Sequence, residues 1–170
     1  MAEAQRRFLP LDLKASWVRP DKIHLTLKFL GDIDSKQVPE LSGALVRALE
    51  GLPAFPVSLG PLGVFPPNGS PRVLWIGLED PEKRLGPLKN RVDEALEPLG
   101  FPPEKRPFAP HLTLARIRSS KGAGRLRDHL RTLKPLPPVT FQVDRVVLYR
   151  SELTPQGSVY TGLAQVPLGV

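Results

Sequence analysis

Apolar residues along this chain recur with two spacings, and each spacing predicts a different element. Alternation of apolar and polar positions predicts strands at Ile23 to Leu30, Phe55 to Leu59, Arg72 to Leu78, Pro110 to Ile117, Val139 to Arg150 and Val159 to Val166, bounded by Pro, Gly or polar residues. Steps of three and four predict helices. Val38, Leu41, Leu45, Ala48 and Leu49 form one face of a helix ending at Gly51, and Leu88, Val92, Leu96 and Leu99 form the inward face of another from about Pro87 to Leu99. A short basic helix is expected over Arg125 to Leu133, broken by Pro135. Gly60-Pro61-Leu62-Gly63 reads as a turn, Pro66 to Pro71 as a loop between strands, and Thr154-Pro155-Gln156-Gly157 as a hairpin turn. Ser119 to Gly124 reads as a flexible loop, either a solvated connector or a contact for a phosphate chain. Strands adjacent in sequence, with helices between some of them, indicate an α+β fold with antiparallel sheets.

Within this pattern one tetrapeptide occurs twice. His24-Leu25-Thr26-Leu27 returns as His111-Leu112-Thr113-Leu114, using two of the three histidines. At ordinary residue usage such a repeat is an accident on the order of one in a thousand. Side chains two apart on a strand share a face, so His24 and Thr26 should oppose Leu25, Leu27 and Phe29, and His111 and Thr113 should oppose Leu112 and Leu114. One copy alone reads as a structural histidine on a half-buried strand. The repetition favours catalysis, because packing does not require the same letters twice. The copies lie about half a chain apart, which suggests two similar lobes, each lending one strand to a common surface. A two-fold arrangement would present one imidazole to remove a proton and another to donate one.

Composition narrows the chemistry. A chain of 170 residues is a single globular unit by length. Without cysteine there is no disulfide, thiolate metal site or cysteine nucleophile. There is also no glycine-rich phosphate loop, no pair of metal carboxylates and no His-x-x-x-His, so neither an NTPase nor a metal-dependent phosphodiesterase is supported, and no cofactor is expected. Lys and Arg number 24 against 17 acidic residues, a formal +7 that favours an anionic partner such as nucleic acid. The balance of 21 prolines against two asparagines suits a thermostable protein and equally a GC-rich genome. No stretch has the length of a membrane span or the apolar core of a signal peptide. The expectation is a cytoplasmic monomer.

Several blocks together resemble a known family. Trp17-Val18-Arg19-Pro20 leading into Ile23 to Gly31, Arg106-Pro107-Phe108-Ala109-Pro110 leading into the second tetrapeptide and Arg116, and Leu148-Tyr149-Arg150-Ser151 are similar to the 2H phosphoesterases, in particular the bacterial RNA 2′,3′-cyclic phosphodiesterase (2′-5′ RNA ligase) family. The resemblance runs from about residue 5 to the end. It implies two pseudo-symmetric lobes of antiparallel sheet with outer helices around a central cleft. Members of the family open with a strand and a long helix, whereas this chain has sixteen residues ahead of Trp17. Either Ala2 to Leu9 is the tail of that helix and the N-terminal strand is missing, or Arg7 to Leu13 is the strand and the helix is gone. The helix-prone Glu3 to Arg7 favours the first.

The resemblance further implies hydrolysis of RNA 2′,3′-cyclic phosphate ends, tRNA fragments among them, to 2′-phosphates. His24 would protonate the departing 3′ oxygen and His111 would take a proton from water. Run backwards, the same pair would make a 2′-5′ bond without ATP. Histidine suits both duties, since its ordinary pKa is about 6.5. The hydroxyls of Thr26 and Thr113 can donate to the non-bridging phosphate oxygens. Arg116 is a phosphate-binding candidate, although strict alternation puts it on the face opposite His111. Phe108 and Tyr149 are candidates for stacking on a base, with core packing as the ordinary role of each. Trp75 reads as core and His129 as a solvated bystander. Two other functions remain open, a non-catalytic RNA or nucleotide-binding module and a 2H enzyme for a small cyclic phosphate.

Overall fold

The computed structural model describes residues 1–119, 121–154 and 157–169. Its helices are α1 (Ala2–Arg6), α2 (Val38–Leu49), α3 (Leu85–Leu96) and α4 (Ala123–Thr132). Its strands are β1 (Ala15–Trp17), β2 (Phe55–Phe65), β3 (Val73–Glu79), β4 (His111–Ile117), β5 (Thr140–Val143), β6 (Arg145–Thr154) and β7 (Gly157–Pro167). The α+β class follows directly. The chain divides into two compact units. One comprises Met1–Thr26, Ser58–Glu79 and Ala109–Val139, and the other comprises Leu27–Val57, Asp80–Phe108 and the chain from Thr140 onward. Both copies of the His-Leu-Thr sequence lie in the first unit.

In the first unit the antiparallel strands run β1-β4-β3-β2. Val64, Leu74, Ile76, Leu112, Leu114 and Ala115 form a buried face, closed by Ala4 and Phe8 from the N-terminal segment and by Leu126 of α4. Consecutive burial of Leu114 and Ala115 breaks the two-residue period. The cause is a shift of register, for Trp75 pairs with Thr113 while the adjacent Leu74 pairs with Ala115, leaving Leu114 as the extra residue of a β-bulge. Its carbonyl accepts from Val18 N (3.0 Å) and from Gln5 Nε2 (3.0 Å), and the same Gln5 amide donates to Val18 O (2.6 Å). The buried Gln5 of α1 thus pins the irregular point of the sheet.

Several expectations change here. The N-terminal residues are helical over Ala2–Arg6, and Leu9–Leu11 form a 3-10 turn where the alternative reading put a strand. His129 is no bystander: its Nε2 donates to Arg7 O at 2.8 Å and its ring meets Phe8 edge-on at 5.6 Å, so it docks α4 onto the N-terminal segment. α4 begins two residues early, at Ala123 within the expected loop, in which Ser120 lies outside the described residues. Gly60 to Gly63 is not a turn but part of β2, which absorbs the irregularity as a register shift between Leu59 and Leu62. The expected strand over Ile23 to Leu30 reduces to one bridge, Leu25 to Leu112. The chain leaves the β4 edge after Val18, makes a 3-10 turn at Pro20–Lys22 and returns to that edge only at Leu25.

The second unit holds α2 and α3 packed together, with Leu41, Leu45 and Leu49 of one and Leu85, Leu88, Val92 and Leu96 of the other buried. α3 starts ahead of Pro87 because Asp80 Oδ2 accepts from Leu85 N at 2.6 Å, and a 3-10 turn at Glu97–Leu99 completes it. β6 and β7 form a long antiparallel ribbon, whose residues Pro155 and Gln156, expected in its turn, lie outside the described residues. The single strand expected from Val139 to Arg150 is two, since the bonds to the β7 side begin only at Asp144, whose carbonyl accepts from Leu168 N at 2.7 Å. Past Leu25 the pleat no longer governs the chain. Phe29, expected among the inward residues, is 77% exposed. The Lys28 side chain is buried instead, because Asp93 Oδ1 (2.7 Å) and Pro102 O (2.8 Å) receive its ammonium. Lys89 binds the other carboxylate oxygen of Asp93.

Two consequences for stability can be measured. Gln5→Leu removes a buried donor from two carbonyls and should cost about 1–3 kcal/mol in urea unfolding. Asp93→Asn leaves two buried ammonium groups without their anion, a loss of about 3–5 kcal/mol near neutrality. Burial raises the Asp93 carboxyl, but the hydrogen bonds and charges of Lys28 and Lys89 outweigh it and hold it below the usual carboxylate range. With the native value below the unfolded one, this contribution is complete above about pH 4 and is lost as pH falls through the native value. The gap between Asp93→Asn and the native protein should therefore narrow in acid. A gap that widened there would contradict the assignment.

Candidate active site

The polar face of the first unit's sheet is built strand by strand. β4 alternates half-buried His111 and Thr113 with buried Leu112 and Leu114, as its sequence requires. Cross-strand partners share a face. The pairs Gly77 with His111, Trp75 with Thr113 and Val73 with Arg116 therefore place all six residues on one side. Arg116 is there because the bulge at Leu114 reverses the alternation, which corrects its assignment to the opposite face. It is exposed.

The single bridge of Leu25 to Leu112 aligns the two tetrapeptides antiparallel. An antiparallel bridge between the second residues of the two copies is the pairing that a local two-fold would produce. The histidines obey the same symmetry in detail. His24 Nδ1 lies 2.8 Å from Lys22 O, and His111 Nδ1 lies 2.8 Å from Ala109 O. A carbonyl can only accept, so each ring carries its proton on Nδ1 and turns Nε2 to proton exchange. The two imidazoles thus make the same hydrogen bond, each to the carbonyl two residues upstream, and imidazole is a side chain that can both take and give a proton. Thr26 is exposed and Thr113 half-buried.

The surroundings of His111 contain residues that the sequence pattern did not single out. Phe65 meets its ring edge-on at 5.0 Å and 84°, Trp75 stands at 6.2 Å and 61°, and the two aromatics lie 5.0 Å apart. Trp75 is thus not in the core. It is half-buried on the histidine face, in alternation with buried Leu74 and Ile76, a signal that the unbroken apolar run Val73 to Ile76 concealed. Gly63 opposite it supplies the slot, for a Cβ there would come within 2.3 Å of the indole Cζ2. Phe108 and Tyr149 belong to the second unit. Phe108 is half-buried, and Tyr149 is 46% exposed on β6 with Tyr160 edge-on at 6.0 Å. Among the described residues no group of three or more His, Cys, Asp or Glu could hold a metal ion, and no helix is long and apolar enough to cross a membrane.

The chain is similar to known proteins over most of its length. The family model of the 2′-5′ RNA ligase superfamily matches residues 6–155. A protein of Methanothermobacter thermautotrophicus named RNA 2′,3′-cyclic phosphodiesterase is 34% identical over 152 residues, 89% of this chain and 82% of that protein. One of the same name from Aquifex aeolicus is 32% identical over 170 residues, 99% of this chain and 90% of that protein. Among solved structures, a Thermus thermophilus protein superposes with a TM-score of 0.79 at 30% identity, covering 98% of this chain and 88% of its own. The LigT protein of E. coli complexed with 3′-AMP superposes with a TM-score of 0.71 at 26% identity, covering 99% and 92%. A chain that carries two His-Leu-Thr-Leu copies, and that the family model and these relatives match across most of its length, is a member of the 2′-5′ RNA ligase superfamily, the 2H phosphoesterases.

Proposed function

We propose that the chain opens RNA 2′,3′-cyclic phosphate ends to 2′-phosphates by acid–base catalysis between His24 and His111, without a metal ion. The observation that carries this reading is the matched pair of Nδ1 hydrogen bonds, which holds both imidazoles in one tautomer on either side of the Leu25 to Leu112 bridge. Relatives named RNA 2′,3′-cyclic phosphodiesterase support the substrate. In the proposed step His111 takes a proton from water as its oxygen bonds to phosphorus. The bond from phosphorus to the 3′ oxygen breaks, and His24 delivers its proton to that oxygen. Thr26 and Thr113 donate to the non-bridging oxygens, where charge accumulates. Arg116, on the same face, adds a fork of donors for the phosphate.

Phe108 and Tyr149 are proposed as surfaces for bases of the RNA, and the enzyme as a cytoplasmic monomer. By microscopic reversal the same groups would join a cyclic end to a 5′-hydroxyl as a 2′-5′ bond, with hydrolysis dominant in water.

The decisive test uses a short RNA ending in a 2′,3′-cyclic phosphate, with EDTA present and the product identified by phosphorus NMR. A 2′-phosphate is expected; a 3′-phosphate would exchange the duties of His24 and His111, and loss of activity on chelation would remove the two-histidine mechanism. His24→Ala and His111→Ala should each lower kcat/KM by about a thousandfold, with the double variant scarcely worse, because acid and base serve one displacement.

The pH profile of kcat/KM should be bell-shaped, since one imidazole must be neutral while the other is protonated. Its two limbs belong to the pair and not to either histidine. A flat rate from about pH 5 to 9 would be incompatible with this assignment.

A further inference from the structure

Beside the histidine face the first unit carries a groove that the two-histidine reading does not use. It is open, has a volume of about 330 Å³, and is lined by Gly63, Pro67 and Trp75 together with Arg127, Leu130 and Arg131 of α4. Its origin lies in the slot at Gly63. Because that residue has no side chain, the indole of Trp75 lies across β2, with Cζ2 and Cη2 where a Cβ would stand. One residue therefore has two neighbours. The indole packs against His111 at 6.2 Å and also forms part of the groove wall.

The lining has a defined chemistry. Two arginines line it together with Trp75, Leu130 and Pro67, and none of the lining residues is acidic. Arg127 Nη2 donates to Pro67 O at 3.1 Å, which holds the guanidinium at the groove while its remaining N–H groups can serve a ligand. Arg131 pairs with Asp128 at 3.5 Å, but both side chains are more than 70% exposed, so the pair is weak and a phosphate can replace the carboxylate. By contrast, the depression on α2 and α3 sets Arg47 and Arg91 beside Glu94, which opposes an anion. One held and one free-moving guanidinium for phosphate, with an aromatic and apolar wall for a sugar or base, match single-stranded nucleic acid.

We infer that this groove holds the RNA chain leading up to the cyclic end, with Arg127 and Arg131 on its phosphates and Trp75 as the wall shared with the reacting site. The inference rests on the reading of His24 and His111 as the reacting pair. It makes the enzyme selective for an oligonucleotide over a mononucleotide of the same terminal chemistry.

The test measures binding of two non-reacting products to the full chain, a labelled six-nucleotide RNA ending in a 2′-phosphate, by fluorescence anisotropy, and adenosine 2′-phosphate, by calorimetry. In Arg127→Gln/Arg131→Gln the oligonucleotide should bind about tenfold more weakly at low salt. The slope of log Kd against log salt should fall by about 0.7 for each phosphate that the variant no longer neutralises. Adenosine 2′-phosphate should lose less than about twofold in that variant, since it has no preceding phosphate. Arg47→Gln/Arg91→Gln removes the same charge elsewhere and should change RNA binding by less than about twofold. Unchanged RNA binding in Arg127→Gln/Arg131→Gln, equal weakening of the mononucleotide, or equal weakening by Arg47→Gln/Arg91→Gln would each overturn the inference. Turnover of the cyclic end by the native chain is read separately. Its absence would overturn the two-histidine function, while the anisotropy still decides whether RNA lies on Arg127 and Arg131.

Discussion

The carbonyl of Leu114 receives two hydrogen bonds from outside the β3 ladder, one from Val18 and one from the Gln5 amide, and the polar face of the sheet depends on that junction. A regular strand would send Leu114 and Ala115 to opposite faces. With the bulge both enter the core, and Arg116 joins His111 and Thr113 on the polar face. A bulged residue leaves ladder groups unpaired. Here α1 and the segment after β1 provide the partners, so the N-terminal helix shapes the polar face from behind the sheet.

The second constraint is the bridge between Leu25 and Leu112. Since these are the second residues of identical tetrapeptides, one antiparallel contact superposes the copies by a two-fold, and both histidines reach the same tautomer by bonding a carbonyl two residues upstream. Symmetry of this kind equips two groups alike but does not assign them different duties. Around His111 the sheet sets Phe65 and Trp75 against the ring. Under the proposed mechanism, the orientation of the substrate would give two equal imidazoles opposite duties.

Much of the fold was legible because it rests on local periodicity. Helices α2 and α3 and strands β3 and β4 follow their apolar patterns, and the α+β class follows from their order. Legibility failed where a residue's partner lies far along the chain. Lys28 is buried because Asp93 and Pro102 receive its ammonium, while Phe29, which the pleat would have turned inward, is exposed. Likewise, nothing near His129 in the sequence announces the Arg7 carbonyl that its ring binds.

For this protein the sequence by itself singled out the paired candidate residues, because a repeated His-Leu-Thr-Leu needs no partner to be recognised. It also determined the alternation that sets His111 and Thr113 against Leu112 and Leu114. Only the tertiary structure decided what shares their face. Arg116 and Trp75 take their places through a one-residue register shift, a missing side chain at Gly63 and hydrogen bonds spanning up to 109 positions. The face on which a strand residue lies depends on every pairing before it in the ladder, and pairing is a property of two chain segments together.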